Sequence, residues 1–514
     1  MAATLASSVL GFLREVVNAR SFGTHAEMDA FLAAATIPTI LFGVFNGALV
    51  SALVPVFADY VSHGDEEGCA RLAGTVFNVL ALGLAALAAL GWIFAPTYVG
   101  LIASGFPPDQ LATTVEMTRW LMPSIVATSL AGVFSAMLNA RNRFSSSALQ
   151  GIAINAVTIA TVMFFAGRLG IYALVLGTSL GLFAQLLVQA PAVARLRMYR
   201  PAFDLRHPGL AKIWLTLGPI VVGSAAGQVA LFFDRHFAST LTPGYISGMN
   251  YVTKLVGFPQ QIFAAAIATV IFPLLATQFA AANRKGIARS VEMGLRLVNF
   301  ITLPSVLALV VLARPMFAAL FQRGEFGETA TDLCGGLLPY AAIGLVALAA
   351  CVVLTRCGFA CKETGWTVAI SIATVVLNVV LSVVWLKPLG ARGLLLANAV
   401  SQWVQATLLL LLVRRLVSEL DWRSLGSSFV RVLACSAIMA FALVWIRLLG
   451  VHVGESFYAR ASYLAGQLGI GGFVFLGAAR ILGVEELGLV VRLIVRKYES
   501  HVPSPPENRE APIA

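Results

Sequence analysis

Charge is scarce in this chain. Asp, Glu, Lys and Arg make up 11% of its 514 residues, less than half the roughly 25% usual in soluble domains. So few charges can neither solvate a globular surface of this size nor keep a chain disordered, which excludes soluble, secreted, nuclear and disordered classes. Cysteine is equally thin, with six residues at 69, 334, 351, 357, 361 and 435, mostly inside apolar runs. Cys357 and Cys361 lie one helical turn apart. No His or carboxylate pattern accompanies them, so they read as small buried residues and not as a metal site. There is no G-x-x-x-x-G-K-[ST] loop and no soluble stretch large enough to house a nucleotide. Nor does any H-E-x-x-H, G-x-S-x-G or carboxylate pair sit in a cytosolic or external catalytic domain, so an enzyme is not expected.

Apolar residues are what the chain has in excess, 59% of the total with a mean hydropathy of +0.87. About 20 apolar residues cross a bilayer as a helix. Fourteen such runs lie near 2–20, 28–58, 70–98, 117–138, 146–167, 171–193, 212–238, 246–278, 288–312, 334–354, 367–386, 393–413, 430–448 and 462–482. The fold class is therefore an all-α polytopic membrane protein. After the last run, Val490, Val491, Leu493 and Ile494 oppose Arg492, Arg496 and Lys497, the pattern of an interfacial helix, and the final PSPPENREAPIA has the composition of a disordered tail. Residues 1–10 are apolar without a basic n-region, and Arg14 follows too soon for a secretory leader. The first span opens almost at Met1, which fits a start codon further upstream.

The net charge of +11 points to anionic lipid and the cytoplasm, not to nucleic acid. Connections after even-numbered spans hold about sixteen Lys/Arg and those after odd-numbered spans about eight. That bias places the even side, and both termini, in the cytoplasm. The halves also echo each other. Leu169–Gly170, Phe183, Gln185 and Arg195–Leu196 recur about 220 residues later as Leu389–Gly390, Trp403, Gln405 and Arg415–Leu416. Six spans per repeat give both repeats the same orientation, a transporter arrangement with its site near the midplane.

Ionisable residues within spans are costly and mark function by default. They are Arg14 and Glu15 (span 1), Asp29 (span 2), Arg119 (span 4), Asp234 and Arg235 (span 7), Lys254 (span 8), Arg296 (span 9) and Arg431 (span 13). Arg14 lies roughly 12 Å below the outer end of its helix, at 1.5 Å per residue, and Lys254 at a similar depth. One cation per lobe at matched depth could clamp an anion. The alternative is a structural ion pair with Asp29 or Asp234, or snorkelling to an interface.

Residues 11–38 (GFLREVVNARSFGTHAEMDAFLAAATIP), 251–276, 312–327 (LARPMFAALFQRGEFG) and 389–415 together resemble the MurJ (MviN) lipid II flippases of the multidrug/oligosaccharidyl-lipid/polysaccharide exporter superfamily. The resemblance covers nearly the whole chain. It implies two six-helix lobes (1–200 and 201–420), two additional helices (421–482) and a cytoplasmic interfacial helix and tail (483–514). It further implies a monomeric, cofactor-free flippase of the bacterial inner membrane, moving lipid II to the outer leaflet for cell wall synthesis. The family arginine of G-F-x-R-[DE] falls on Arg14, and its D-A-F aspartate on Asp29. The arginine of Y-x-x-R-L-x-x-F-P is Lys254 here, keeping the charge without the bidentate fork. Ser8, Phe42 and Gly43 stand where further cavity arginines are expected. Sodium-driven members imply an ion held by Asp234, Asn378 and Asn398, with Ser382 replacing a second carboxylate; helix–helix hydrogen bonding is the other reading of these asparagines.

Rival readings are a flippase for an exopolysaccharide or O-antigen carrier lipid, and a cation-coupled drug exporter, which would need an acidic cavity. A scaffold or embedded glycan enzyme is a third, and an enzyme would show paired carboxylates at one face. Topology is directly testable: reporter fusions after Arg206 and after residue 500 should both read cytoplasmic, and an external signal at either overturns the orientation.

Overall fold

The structure, a computed structural model, describes residues 2–260, 275, 277–279, 281, 283–417, 419–449, 454 and 456–489. Every element among them is helical. In chain order these are α1 (Ala2–Phe22), α2 (Ala26–Ala34), α3 (Thr36–Ser62), α4 (Glu66–Ile93), α5 (Ala95–Ile102), α6 (Pro108–Leu121), α7 (Ser124–Ala140), α8 (Phe144–Leu169), α9 (Tyr172–Arg195) and α10 (Pro208–Ser239). Then come α11 (Tyr245–Pro259), α12 (Arg284–Val311), α13 (Ala313–Leu320), α14 (Glu328–Ala342), α15 (Leu345–Ala360), α16 (Thr364–Leu389), α17 (Ala391–Leu416), α18 (Trp422–Leu448) and α19 (Phe457–Ile481). Helices are forced by the composition, because in lipid every backbone N–H and C=O must be satisfied within the segment.

Ten helical segments are long and apolar enough to cross a membrane, or eleven if α14 and α15, bent by 43°, form one span. Fourteen were expected from the apolar runs, and each run coincides with a described helix or helix pair. The run from 246 is described only through α11, because 261–274 lie outside the described residues, as does most of the expected interfacial helix and tail beyond 489. α1 carries Arg14, Glu15 and Asn18, which lower its hydropathy.

The repeat seen in the sequence extends to helix boundaries and caps. About 220 residues separate α4 from α12, α5 from α13 and α8 from α16, and the paired helices have equal lengths. Asp65 caps α4 by accepting from the Gly68 amide at 2.8 Å, and Asn283 caps α12 from Gly286 at 2.9 Å. Gly170 and Gly390 end α8 and α16 with φ/ψ of 54°/−137° and 56°/−135°, a conformation glycine alone adopts without strain. Asn142 and Lys362 share a left-handed φ of 58° and 61° just before those helices.

By compactness the chain falls into two units. The first comprises 1–258, 313–347 and 363–408. One core packs Leu49, Leu53 and Phe57 of α3 against Leu72 of α4, Met137 of α7 and Leu217 of α10. Polar side chains join the apolar helices, as Gln185 donates to Thr128 Oγ1 (2.9 Å) and Ser135 to Gln189 Oε1 (2.8 Å). The connection between the halves is bound to α4. Arg200 N–H donates to Ala70 O (3.2 Å), Asn78 to Ala202 O (3.0 Å) and Asp204 N–H to Thr75 Oγ1 (3.1 Å). A Cβ at Gly74 would collide with the Arg200 carbonyl, so only glycine admits this close approach.

The second unit comprises 259–312, 348–362 and 409–514. Here α12 packs on α18, and Phe300 meets Phe475 of α19 at 5.2 Å. Its polar centre is Arg296, which donates to Glu485 (2.7 Å), to Ser424 (3.1 Å) and to Glu486, whose side chain is 1% exposed. Ser428 also donates to Glu486, at 2.6 Å. Burial alone would raise the Glu486 carboxyl, but the hydrogen bonds from Arg296 and Ser428 outweigh it and hold the group below the ordinary glutamate value. A depressed carboxyl adds stability above its unfolded pKa, and that stability is lost as pH falls through the folded value. Thermal unfolding of the parent should therefore show an acid-side loss of stability below pH 4.5 that Glu486→Gln lacks. Arg296→Ala, which strands a buried carboxylate, should cost roughly 3–5 kcal/mol. Equal pH slopes in parent and Glu486→Gln would refute this role.

Candidate functional site

The site residues expected from the sequence, Arg14, Asp29, Asp234, Lys254, Asn378, Ser382 and Asn398, all lie in the first unit. Asp29 is 2% exposed, and among the described residues no cation side chain lies within ion-pair range of it. Its two oxygens accept from the backbone amides of Gly244 (2.6 Å) and Ser247 (2.7 Å), at the start of α11. A carboxylate on free helical N–H groups is a charge-assisted cap that also opposes the helix dipole. Arg14 therefore does not use Asp29. It donates to the adjacent Glu15 at 2.8 Å and keeps 27% of its side chain exposed.

Lys254 is exposed on α11, and among the described residues no carboxylate lies within ion-pair range of it. Two contacts fix the register of α11 against α1. Tyr251 Oη donates to Gly23 O (3.2 Å), and the Phe258 and Phe12 rings meet at 5.4 Å. The helices thus run antiparallel. Counting at 1.5 Å per residue, Arg14 lies about 3 Å from the Phe12 level and Lys254 about 6 Å from that of Phe258, both displaced the same way. Counted from the Tyr251–Gly23 contact instead, Arg14 lies about 13.5 Å and Lys254 about 4.5 Å below it, so the two cations stand about 3–9 Å apart along the axis, within two helical turns.

Phe42 and Gly43, the positions without the family arginines, lie on α3. Gly43 faces the side-chain amide of Gln228 on α10, so close that a Cβ there would displace it. A neutral hydrogen-bonding group therefore stands where a cation was expected. Nothing in the periodicity of α10 singled out Gln228.

The expected ion-coupling residues separate into two groups. Asn378 and Ser382, one turn apart on α16, are 4% and 0% exposed, and among the described residues Asn378 Oδ1 and Ser382 Oγ meet no hydrogen-bond partner. Ser401 Oγ on α17 is orphaned as well. Buried oxygens without donors are costly unless something positive meets them. Asp234 lies on α10, half-buried, and α10 packs on α16. Ala238 and Leu386 belong to one apolar cluster, so Asp234 and Ser382, each four residues earlier on upward-running helices, share a level. Asn398 differs, because its Oδ1 already accepts from Gln402. Sequence reasoning passed over Ser401, whose only signal was its place one turn after Asn398. Arg235 donates to Ile246 O (3.3 Å) and Asn250 Oδ1 (3.4 Å), beside the amides that Asp29 caps. Among the described residues, no three His, Cys, Asp or Glu side chains gather as a metal cluster.

Residues 18–461 match the family described as lipid II flippase MurJ. A probable lipid II flippase MurJ of Vibrio cholerae is 31% identical, covering 94% of this chain and 95% of its own. Lipid II flippase MurJ of Burkholderia cenocepacia is 30% identical over 86% and 88%. Among solved structures, a lipid II flippase MurJ in an inward closed conformation superposes with a TM-score of 0.80 at 22% identity, covering 93% of this chain and 97% of that one. An inward-facing multidrug resistance transporter of the MATE family gives 0.68 at 16% identity, so the fold is shared across the superfamily. With a family match over most of its length and the helical membrane architecture, this chain belongs to the MurJ lipid II flippase family.

Proposed function

We propose that this protein moves lipid II, a polyprenyl-diphosphate-linked peptidoglycan precursor, from the inner to the outer leaflet of the bacterial inner membrane by alternating access. The observation that carries this reading is the placement of Arg14 and Lys254 on antiparallel helices within two helical turns of depth, with Lys254 unpaired among the described residues. Two cations this near in depth offset the cost of bringing a diphosphate into a low-dielectric site. Arg14 has five N–H donors and spends one on Glu15, which orients the guanidinium and leaves the others for phosphate oxygens. The polyprenyl tail stays in lipid, and the names of the relatives support lipid II as cargo.

In this reading the protein is a monomer with both termini cytoplasmic, and lobes 1–200 and 201–420 rock about the site. The recurrence of helix lengths and caps supports such a repeat. Asp29 acts as a latch, tying α2 of the first lobe to the start of α11 in the second, and it changes partners when the outer side opens. The orphaned oxygens of Asn378, Ser382 and Ser401, with the Asp234 carboxylate, form a hard donor set suited to sodium as coupling ion, with Asn398 alongside. The neutral Gln228 beside Gly43 favours a second reading, a carrier-lipid glycan with a less anionic head group.

Complementation separates the two: the parent gene should restore growth to a strain depleted of its own lipid II flippase, and failure there with correct insertion would favour the second cargo. Arg14→Ala or Lys254→Ala should insert normally yet lose complementation, each removing roughly 1.5–3 kcal/mol of diphosphate binding, about ten- to a hundredfold. Lys254→Arg should retain it. Two alanine variants that transport like the parent would refute the clamp. Asp234→Asn should weaken the sodium or proton dependence of transport, and an unchanged dependence would move the ion site elsewhere.

A further inference from the structure

Two short loops occupy the same place in the two repeats, residues 103–107 between α5 and α6 and residues 321–327 between α13 and α14. Each carries a glycine followed closely by a phenylalanine, Gly105–Phe106 in one and Gly324–Glu325–Phe326 in the other. Each also docks on the end of the first helix of the other half. Gly105 lies against the last turn of α10, so close that a Cβ would collide with the Ser239 carbonyl and the Thr240 backbone. Its amide donates to Ser239 Oγ (3.4 Å), and His236 on α10 bonds through Nδ1 to Leu101 O (2.6 Å). Phe106 packs with Ala238 and Ile246.

The second loop repeats this arrangement on α1. A Cβ at Gly324, where φ is +58°, would strike the Arg20 carbonyl. Glu325 N–H donates to Arg20 O at 2.9 Å, and the Glu325 carbonyl closes on Gly23, itself at φ +53°. His25 Nε2 faces the Glu325 carboxylate at 3.5 Å. Phe326, fully buried, meets Tyr251 at 5.6 Å. Apolar burial holds each loop, while backbone contact through glycine makes the fit intolerant of any added side chain.

We infer that these loops form a double clasp, the outer gate of the transport path, and that the outward-open state requires both to release. Each half grips the first helix of the other, so neither clasp opens without moving the halves apart at that end. The placement at the outer side rests on the orientation and alternating access proposed above. Arg14 and Lys254 lie on the inner side of the clasps, because α1 ends and α11 begins there.

Accessibility tests this without any transport assay. The native cysteines are all buried, so a single reporter, Lys254→Cys, can be labelled from outside with a membrane-impermeant thiol reagent. Gly105→Ala and Gly324→Ala should each raise outside labelling several-fold over the parent reporter. Gly100→Ala and Gly327→Ala, whose Cβ atoms would enter open space, should leave it unchanged. If the clasp variants insert and stay as protected as the parent, or if the controls rise equally, the double clasp is refuted. Should the alanine variants fail to insert, a cleavable thiol cross-link decides. Joining His25→Cys to Glu325→Cys, or Ser104→Cys to His236→Cys, should stop complementation, and cleavage should restore it. Transport with either link intact overturns the proposal. Parental failure to complement would instead count against the flippase reading and leave the labelling result to judge the gate.

Discussion

The carboxylate of Asp29 on the free amides of Gly244 and Ser247 joins the start of α11 to α2, and much of the first unit takes its register from that join. A helix that begins inside a membrane protein presents unpaired N–H groups, and water cannot satisfy them there. An aspartate supplies both acceptors and a charge matched to the helix dipole. With that end fixed, Tyr251 reaches Gly23 and Phe258 reaches Phe12, and α11 lies antiparallel to α1. The placement of Arg14 and Lys254 within two helical turns of depth follows from this packing.

The same scarcity of water explains how the remaining polar groups divide. Several bind helix to helix: Gln185 with Thr128, Gln189 with Ser135, and Arg296 with Glu485 and Glu486. Those proposed to meet a ligand stand unpaired among the described residues, as with the exposed ammonium of Lys254 and the orphaned oxygens of Asn378, Ser382 and Ser401. In a low-dielectric interior an unmet polar atom is expensive, and among the described residues Asn18 Oδ1, Ser129 Oγ and both side-chain polar atoms of Gln467 are unmet as well. Arg296 shows the opposite case. An arginine within a span, weighed at first as a functional candidate, anchors the segment after α19 to α12 and α18.

Much of this was legible in the residues. Hydropathy gave the all-helical membrane class and the positions of the spans, because a bilayer imposes a length and an apolar composition that no packing detail can override. The repeat was visible in pairs such as Leu169–Gly170 and Leu389–Gly390, and the structure explains them: both glycines end equivalent helices in a conformation that other residues adopt only under strain. Ionisable residues within spans, Arg14, Asp29, Asp234 and Lys254, stood out because charge is so rare among apolar neighbours.

Partnership was decided by the tertiary structure alone. Asp29 read from the sequence as a companion for Arg14, yet its partners are two backbone amides more than 200 residues away, and an amide leaves no trace in residue identity. Gln228 beside Gly43, Ser401 among the orphaned oxygens, and the reciprocal grip of Gly105 and Gly324 are likewise contacts between helices distant in the chain. By itself the sequence determined which segments enter the membrane and which charges go with them, since transfer from water to lipid is a property of local composition. Which oxygen meets which donor, and which glycine must stay bare, depend on the register of packed helices, and only the folded chain sets that register.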